Sequence, residues 1–334
     1  ITTSRVMQTR HGSQAEGIGN CRLWLSLDDL ETCSSDSWQS PSTTPEEIAF
    51  LQYTSGSTTD PRGVEVSHRN ICHNLEMIRQ GFGLSTCSAD APPEVGVSWL
   101  PAYHDMGLIG GILESLYVGG TTVLMSPLSI MQRPVRWLQT ISDHRAVVSG
   151  GPNFAFELCL RKIKAGELSG LDLSSWRVAF CGAEPIRIET LRRFTKSFSG
   201  CGFREDAFYP CYGLAEATLL VTGGQGPGDY STCKVRAKDL QGQGRAVKVE
   251  PGSNEDQPHM ELVGCGRPLM DEELLVVDPE TRLPSAENMV GEIWVRGQNV
   301  ARGYWGRSTE DGSTFNAKLA DASQDRYLRT GDLG

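Results

Sequence analysis

One local pattern constrains this chain more than any other: an apolar run stops in a cluster of hydroxyl and glycine residues, and a helix follows. Ile48-Ala49-Phe50-Leu51-Gln52-Tyr53 reads as a short buried strand. After it come Thr54-Ser55-Gly56-Ser57-Thr58-Thr59-Asp60-Pro61-Arg62-Gly63-Val64 and then Ser67, which can cap a helix carrying Ile71, Leu75 and Ile78 on one face. Thr54, Ser55, Ser57 and Thr58 offer hydroxyl donors around Gly56, whose missing side chain lets backbone N–H groups turn toward a polyphosphate. The same residue types are common in surface turns. The flanking strand and helix, with the cation Arg62 at the exit, favour a nucleotide triphosphate tail. No Gly-Lys-Ser/Thr follows, so this is not a Walker loop.

The alternation recurs. A helix over residues 134–144 precedes the apolar Ala146-Val147-Val148-Ser149, and Arg177-Val178-Ala179-Phe180 precedes a glycine turn and a helix over Ile188–Phe198. This order predicts an α/β fold, a mainly parallel sheet flanked by helices. Beyond Gly223 polar Gly/Pro stretches separate strands such as Glu273–Val277 and residues 292–295, which predicts a smaller β-rich lobe. A chain of 334 residues exceeds the roughly 250–300 at which one core stops growing, in keeping with more than one lobe. The Ser/Thr/Pro-rich patch at 32–45 reads as a connection, with a boundary near Glu46.

Lys+Arg 31 against Asp+Glu 41 leaves a formal net charge of -10, which argues against nonspecific binding to nucleic acid or anionic lipid. A polyanion must be gripped locally. No apolar run reaches the ~20 residues that span a bilayer. The ten cysteines form no C-x-x-C pair and no Cys/His cluster, and are expected to be buried thiols of a cytoplasmic protein. The chain starts at Ile1 and stops at Gly334 in mid-motif, and both ends are expected to be cuts through a longer protein.

Further strings carry chemistry. His104 and Asp105 sit in an otherwise apolar, Gly-rich stretch, where a lone His is commonly structural. Gly182-Ala183-Glu184 follows an apolar strand, and the carboxyl ends of strands in open α/β sheets are where ligands bind. Tyr212-Gly213 offers a ring that can stack on a base, and Glu216 a carboxylate that can hold Mg²⁺, although a core Tyr and a solvated Glu are the plainer readings. Thr330-Gly331-Asp332, just before the last two residues, carries a carboxylate suited to vicinal hydroxyls.

In this order the strings resemble the motifs of the adenylate-forming superfamily of acyl-CoA synthetases, peptide-synthetase adenylation domains and luciferases. Tyr53 to Val64 resembles the signature phosphate loop. Tyr103-His104-Asp105-Met106-Gly107-Leu108 and Tyr212-Gly213-Leu214-Ala215-Glu216-Ala217 resemble the fatty acyl-AMP ligase forms. Two departures from the majority pattern stand out: Thr59 where most members have Gly, as fatty acyl-AMP ligases tolerate, and Arg62 where most have Lys. A planar guanidinium keeps the charge but changes the contact geometry.

The resemblance implies ATP and Mg²⁺ as cofactors. It implies Thr54, Ser55, Gly56, Ser57 and Thr58 on the phosphates, Gly182, Ala183, Glu184, Tyr212 and Gly213 on adenine, and Asp332 on ribose. Glu216 is implied as metal ligand, and His104, Arg62 and Glu216 as catalytic residues. The segment 149–155 is implied to border the acyl pocket. The 291–297 and 300–305 segments resemble structural signatures of the β-rich lobe and are read as packing.

The implied organisation is a remnant of a first α/β subdomain at 1–46 and an α/β subdomain at 47–222. An insertion and a β-rich, distorted-barrel subdomain follow at 223–334, without the mobile C-terminal domain of the family. The stretch 229–261 is longer than the ~12–15 residues of ordinary structureless connections, and fatty acyl-AMP ligases resemble this chain in carrying an insertion there. The implied activity is conversion of a fatty acid to acyl-adenylate for an acyl carrier protein with its phosphopantetheine arm. Alternatives are a long-chain acyl-CoA ligase, an amino-acid adenylation domain and a non-catalytic adenylate-fold binding module.

Overall fold

In the computed structural model the described residues are 39–54, 61–88, 93–249, 258–307, 312–321 and 324–334, and Thr44–Gly334 forms one compact unit. Strand β1 (Ile48–Thr54) pairs antiparallel with β2 (Arg62–Ser67), Thr54 opposite Arg62 and Tyr53 opposite Gly63. The sequence reading runs the phosphate loop straight into the helix. Instead the chain first makes β2, because Val64 and Val66 alternate with polar neighbours and both bury completely. Ser67 then caps α1 (His68–Phe82): its Oγ accepts from the Asn70 N–H at 3.2 Å, while Asn70 Oδ1 accepts from the Ser67 N–H at 3.0 Å. Leu75 and Ile78 are buried, and Gly83 at φ 64 ends the helix.

The main sheet has five parallel strands: β3 (Val95–Ser98), β4 (Thr121–Leu124), β5 (Val148–Gly151), β6 (Val178–Cys181) and β7 (Phe208–Pro210), in the order β4-β3-β5-β6-β7. Between β3 and β4 lie a π-helical segment, Met106–Leu113, and α2 (Glu114–Val118). The helices α3 (Pro127–Gln132) and α4 (Val135–Asp143) lead to β5, α5 (Asn153–Lys162) follows it, and α6 (Ile188–Phe198) joins β6 to β7. An aromatic cluster fills one side of the sheet. Phe156 lies 5.5 Å from Trp137, 5.1 Å from Phe194 and 5.4 Å from Phe208, ring centre to ring centre.

After β7 the pairing turns antiparallel. The strands β8 (Tyr212–Gly213) and β9 (Leu220–Gly223) pair with each other. Next come β10 (Thr232–Arg236), α7 (Ala237–Gln243) and β11 (His259–Val263), and then β12 (Arg267–Pro268) on β9. The stretch 229–261, expected to lack regular structure, contains the β10–β11 hairpin, which docks on α6 through a two-pronged Arg192–Glu261 pair at 2.8 and 2.7 Å. A last sheet, β13 (Glu273–Val277), β14 (Glu292–Arg296) and β15 (Leu328–Leu333), covers Val277, Trp294 and Tyr327. Of the ten cysteines, Cys21 and Cys33 lie outside the described residues. Among the described ones the expectation of buried thiols holds for Cys159 and Cys181, while Cys72 and Cys87 are exposed and Cys201, Cys211, Cys233 and Cys265 lie between. Among the described residues no helix is long and apolar enough to cross a membrane.

Candidate active site

A cavity of about 600 Å³ opens between β1, α1, the π-helical segment and the carboxyl ends of β6 and β7. Ile78, Phe82, Phe180 and Leu219 give it an apolar wall, while Thr54, His104, Tyr212 and Glu216 stand on its polar side. Such a two-sided cavity suits a ligand with an apolar tail and a polar head.

Ser55, Gly56, Ser57 and Thr58, with Thr59 and Asp60, lie outside the described residues. The residues flanking that segment, Thr54 and Pro61, both line the cavity. Arg62, opening β2, places its guanidinium 5.1 Å from the Tyr304 ring centre. The Tyr304 hydroxyl donates to Glu216 Oε1 at 2.8 Å, so Arg62, Tyr304 and Glu216 form one array.

Backbone pairing explains the meeting: the Glu65 N–H donates to the Gly303 carbonyl and the Trp305 N–H to the Gly63 carbonyl, so the 303–305 segment lies along the free edge of β2. Glu216 itself sits in a one-turn helix, Ala215–Ala217, whose carbonyl at Glu216 accepts from the Ala301 N–H at 2.9 Å. The next residue but one, Thr218, is buried with φ 69, a costly backbone state for a β-branched residue. Its hydroxyl donates to the Asn299 carbonyl at 2.5 Å, which pins the turn. Sequence reasoning gave the 300–305 segment a packing role and passed over Thr218. The only hint at Tyr304 is an aromatic hydroxyl in a Gly-flanked string.

His104 and Asp105 precede the π-helical segment. Buried Gln52 on β1 donates to the Tyr103 carbonyl at 2.9 Å and fixes this loop. The His104 Nδ1 lies 2.5 Å from Asp105 Oδ1 and 3.3 Å from the Met106 nitrogen. One nitrogen cannot both donate to the first and accept from the second. The shorter contact to a carboxylate assigns the proton to Nδ1. The bond to Asp105 raises the His104 pKa above its ordinary value, against an opposing effect of burial. Asp105→Asn therefore lowers the pH at which His104 loses its proton. The amide oxygen can still accept from the Met106 N–H that Asp105 holds at 2.6 Å. A histidine-resolved NMR titration checks this; an unmoved midpoint removes the pairing.

Gly182 and Ala183 line the cavity just after β6, Ala183 at φ 63. A Cβ on Gly182 would meet the Cys211 carbonyl oxygen at 2.8 Å, so the turn is tight. Glu184 is not among the lining residues: its Oε1 accepts from the Phe154 N–H at 2.5 Å, at the start of α5. Tyr212 and Gly213 line the cavity, and the Tyr212 hydroxyl donates to Asp332 Oδ2 at 2.7 Å, which joins two separately predicted residues. Burial raises the Tyr212 pKa, so the phenol stays protonated as donor. The segment 149–155, expected beside the acyl pocket, does not line this cavity. Ser149 is buried, accepting from Trp137 Nε1 at 2.8 Å and donating to the Val97 carbonyl at 2.7 Å.

Comparison with known proteins places this geometry. The sequence is 42% identical, over 91% of the chain and 47% of the relative, to the medium-chain-fatty-acid–acyl-carrier-protein ligase TtuA of Teredinibacter turnerae. It is 39% identical, over the whole chain and 54% of the relative, to 4-hydroxyphenylalkanoate adenylyltransferase of Mycobacterium tuberculosis. The chain thus spans about half the length of the curated relatives it matches. The fold superposes with a TM-score of 0.84 on a fatty acyl-adenylate ligase from Legionella pneumophila in complex with acyl adenylate and pyrophosphate, at 45% identity over 93% of this chain and 52% of that one. The α/β architecture is that of the adenylate-forming enzymes. The family model of the AMP-binding enzymes extends over residues 9–305, from before the phosphate loop to the Tyr304 segment that completes the Glu216 array, and the chain belongs to that family.

Proposed function

We propose that the full-length protein activates a fatty acid: a carboxylate oxygen attacks the α-phosphorus of ATP, the bond to the β-phosphate oxygen breaks, and pyrophosphate leaves, giving acyl-adenylate. The acyl group then passes to the phosphopantetheine thiol of an acyl carrier protein, with release of AMP. The observation that carries this reading is that one cavity joins an apolar wall at Ile78, Phe82 and Phe180 to a polar side at Thr54, His104 and Glu216. The tail is held by burial, at roughly 25 cal/mol per Å² of apolar area. Similarity to proteins described as fatty-acid ligases and fatty acyl-adenylate ligases supports it.

In this reading the Gly182-Ala183 turn and the Tyr212 ring hold adenine, and Asp332, oriented by the Tyr212 hydroxyl, accepts from the ribose. Residues 54–58 hold the phosphates, and Arg62 adds positive charge beside them. The imidazole of His104, held by Asp105, borders the carboxylate. Mg²⁺ fits Glu216: a half-buried carboxylate with one oxygen on the neutral Tyr304 hydroxyl is the donor type that, with substrate phosphates, holds this ion. Bound there, it would neutralise phosphate charge. The β10–β11 hairpin on α6 supports the carrier-protein branch over the CoA branch, since it gives the insertion a fixed seat from which to restrain a mobile domain.

ATP–pyrophosphate exchange by the full-length protein tests the reading. Exchange is expected to require a fatty acid. Exchange driven equally by amino acids, or absent with every fatty acid, contradicts it.

A further inference from the structure

Behind the apolar wall lies a second, smaller cavity of about 40 Å³. The two share Phe82, Phe180 and Gly110, and the Phe82 and Phe180 rings stack at 5.9 Å and 11°, so an aromatic pair stands between them. The far chamber is not apolar. Glu114, the first residue of α2, lines it at 4% exposure, and neither carboxyl oxygen has a hydrogen-bond partner in the protein. Ser98, at the end of β3, lines it at 8% exposure with its Oγ also unpartnered.

A buried polar atom without a partner costs free energy. Glu114, Ser98 and Oε2 of Glu94, whose other oxygen accepts from Arg177 at 2.6 Å, bring three groups with such atoms to one chamber at the end of an acyl cavity, which asks for a ligand atom. The nearby cation Arg79 does not meet the need, because its guanidinium is engaged by Glu76 at 2.7 and 2.6 Å. Packing fixes the position of Ser98: a Cβ on Gly111 would lie 2.6 Å from Ser98 Oγ, so only glycine leaves that hydroxyl its place.

We infer that this chamber, through Glu114 and Ser98, receives a hydroxyl group at the far end of the acyl chain and selects for it. The inference rests on the proposed acyl-activating function. Burial, reinforced by the charge of Glu76, pushes the Glu114 pKa to about 8, so near neutrality the group is mainly a neutral acid with one O–H to donate and oxygens to accept. An alcohol, both donor and acceptor, complements that pair, whereas a methyl end leaves both groups unsatisfied. A site built to hydrogen-bond a substrate hydroxyl rejects the analogue lacking it.

The test is pyrophosphate exchange by the full-length protein with a ladder of straight-chain acids and their ω-hydroxy and ω-amino counterparts. At one chain length the ω-hydroxy acid is expected to exceed the plain acid about tenfold in kcat/KM. Glu114→Leu is expected to invert that preference, Glu114→Gln, still donor and acceptor, to keep most of it, and Ser98→Ala to reduce it. The Gln and Ala variants carry the test if the Leu variant does not fold. Exchange with plain acids and no ω-hydroxy preference at any length overturns this inference and leaves the proposed function standing. Exchange with no acid overturns both, and preference for the ω-amino acid overturns the neutral, hydroxyl-binding assignment.

Discussion

Glu216→Gln is expected to lower fatty-acid-dependent pyrophosphate exchange about a hundredfold while the protein remains folded. The amide has the shape of the carboxylate, and its oxygen can still accept the Tyr304 O–H, so the turn at 215–217 keeps its anchor at 2.8 Å. What disappears is one negative charge on the polar side of the cavity, and with it the oxygen donor that suits Mg²⁺. Exchange rates, with circular dichroism as the control for folding, check this. A folded variant with the exchange rate of the unsubstituted protein removes Glu216 from the chemistry. The neighbouring cation Arg62 is linked to Glu216 through the Tyr304 ring and hydroxyl.

Phe156→Ala is expected to cost about 3–5 kcal/mol of stability. Phe156 is fully buried and contacts Trp137, Phe194 and Phe208 edge-to-face, with Trp176 stacked beyond at 6.4 Å. Truncation removes apolar burial and aromatic pairing together and leaves a void that four rings, held by one another, cannot close. Against the ~5–15 kcal/mol that keeps a typical domain folded, this is a large share. Urea denaturation measures it. A loss well below about 2 kcal/mol would mean that the cluster is not the centre of this core.

Local patterns were readable in the sequence wherever one element buries one face. The strand at Ile48–Thr54, the Ser67 cap and the helix Ile188–Phe198 all follow from spacing and capping chemistry. The misses have physical causes. Strand β2 is a short alternation beside glycine, and its identity depends on pairing with β1 and with the 303–305 segment. The π-helical segment Met106–Leu113 bonds at a spacing that a 3.6-residue period does not reveal. In the β10–β11 hairpin, β10 buries only Val235 and β11 buries none of its residues, so neither strand carries a strong hydrophobic signature.

The site divides the same way. Residue types drawn to the cavity, such as His104, Tyr212 and Glu216, stand out as strings. The contacts that orient them do not: Tyr304 is 88 residues from Glu216, and Asp332 is 120 from Tyr212. Glu184 illustrates the converse. Its string is suggestive, yet its carboxylate caps α5. A single carboxylate near the end of an apolar segment, as at Glu114, reads as a surface charge until its burial is known.

The central claim is that a fatty carboxylate attacks the α-phosphorus of ATP and that the resulting acyl-adenylate feeds a carrier protein. It is tested most directly by giving the full-length protein ATP, carrier protein and a fatty acid labelled with heavy oxygen in both carboxyl positions, then weighing the products by mass spectrometry. The bridging oxygen of an acyl-adenylate comes from the acid and stays with the nucleotide when the thiol takes the acyl group. The account predicts AMP carrying one labelled oxygen, unlabelled pyrophosphate and an acylated carrier. Label in inorganic phosphate, as an acyl-phosphate route gives, or AMP without label would contradict it.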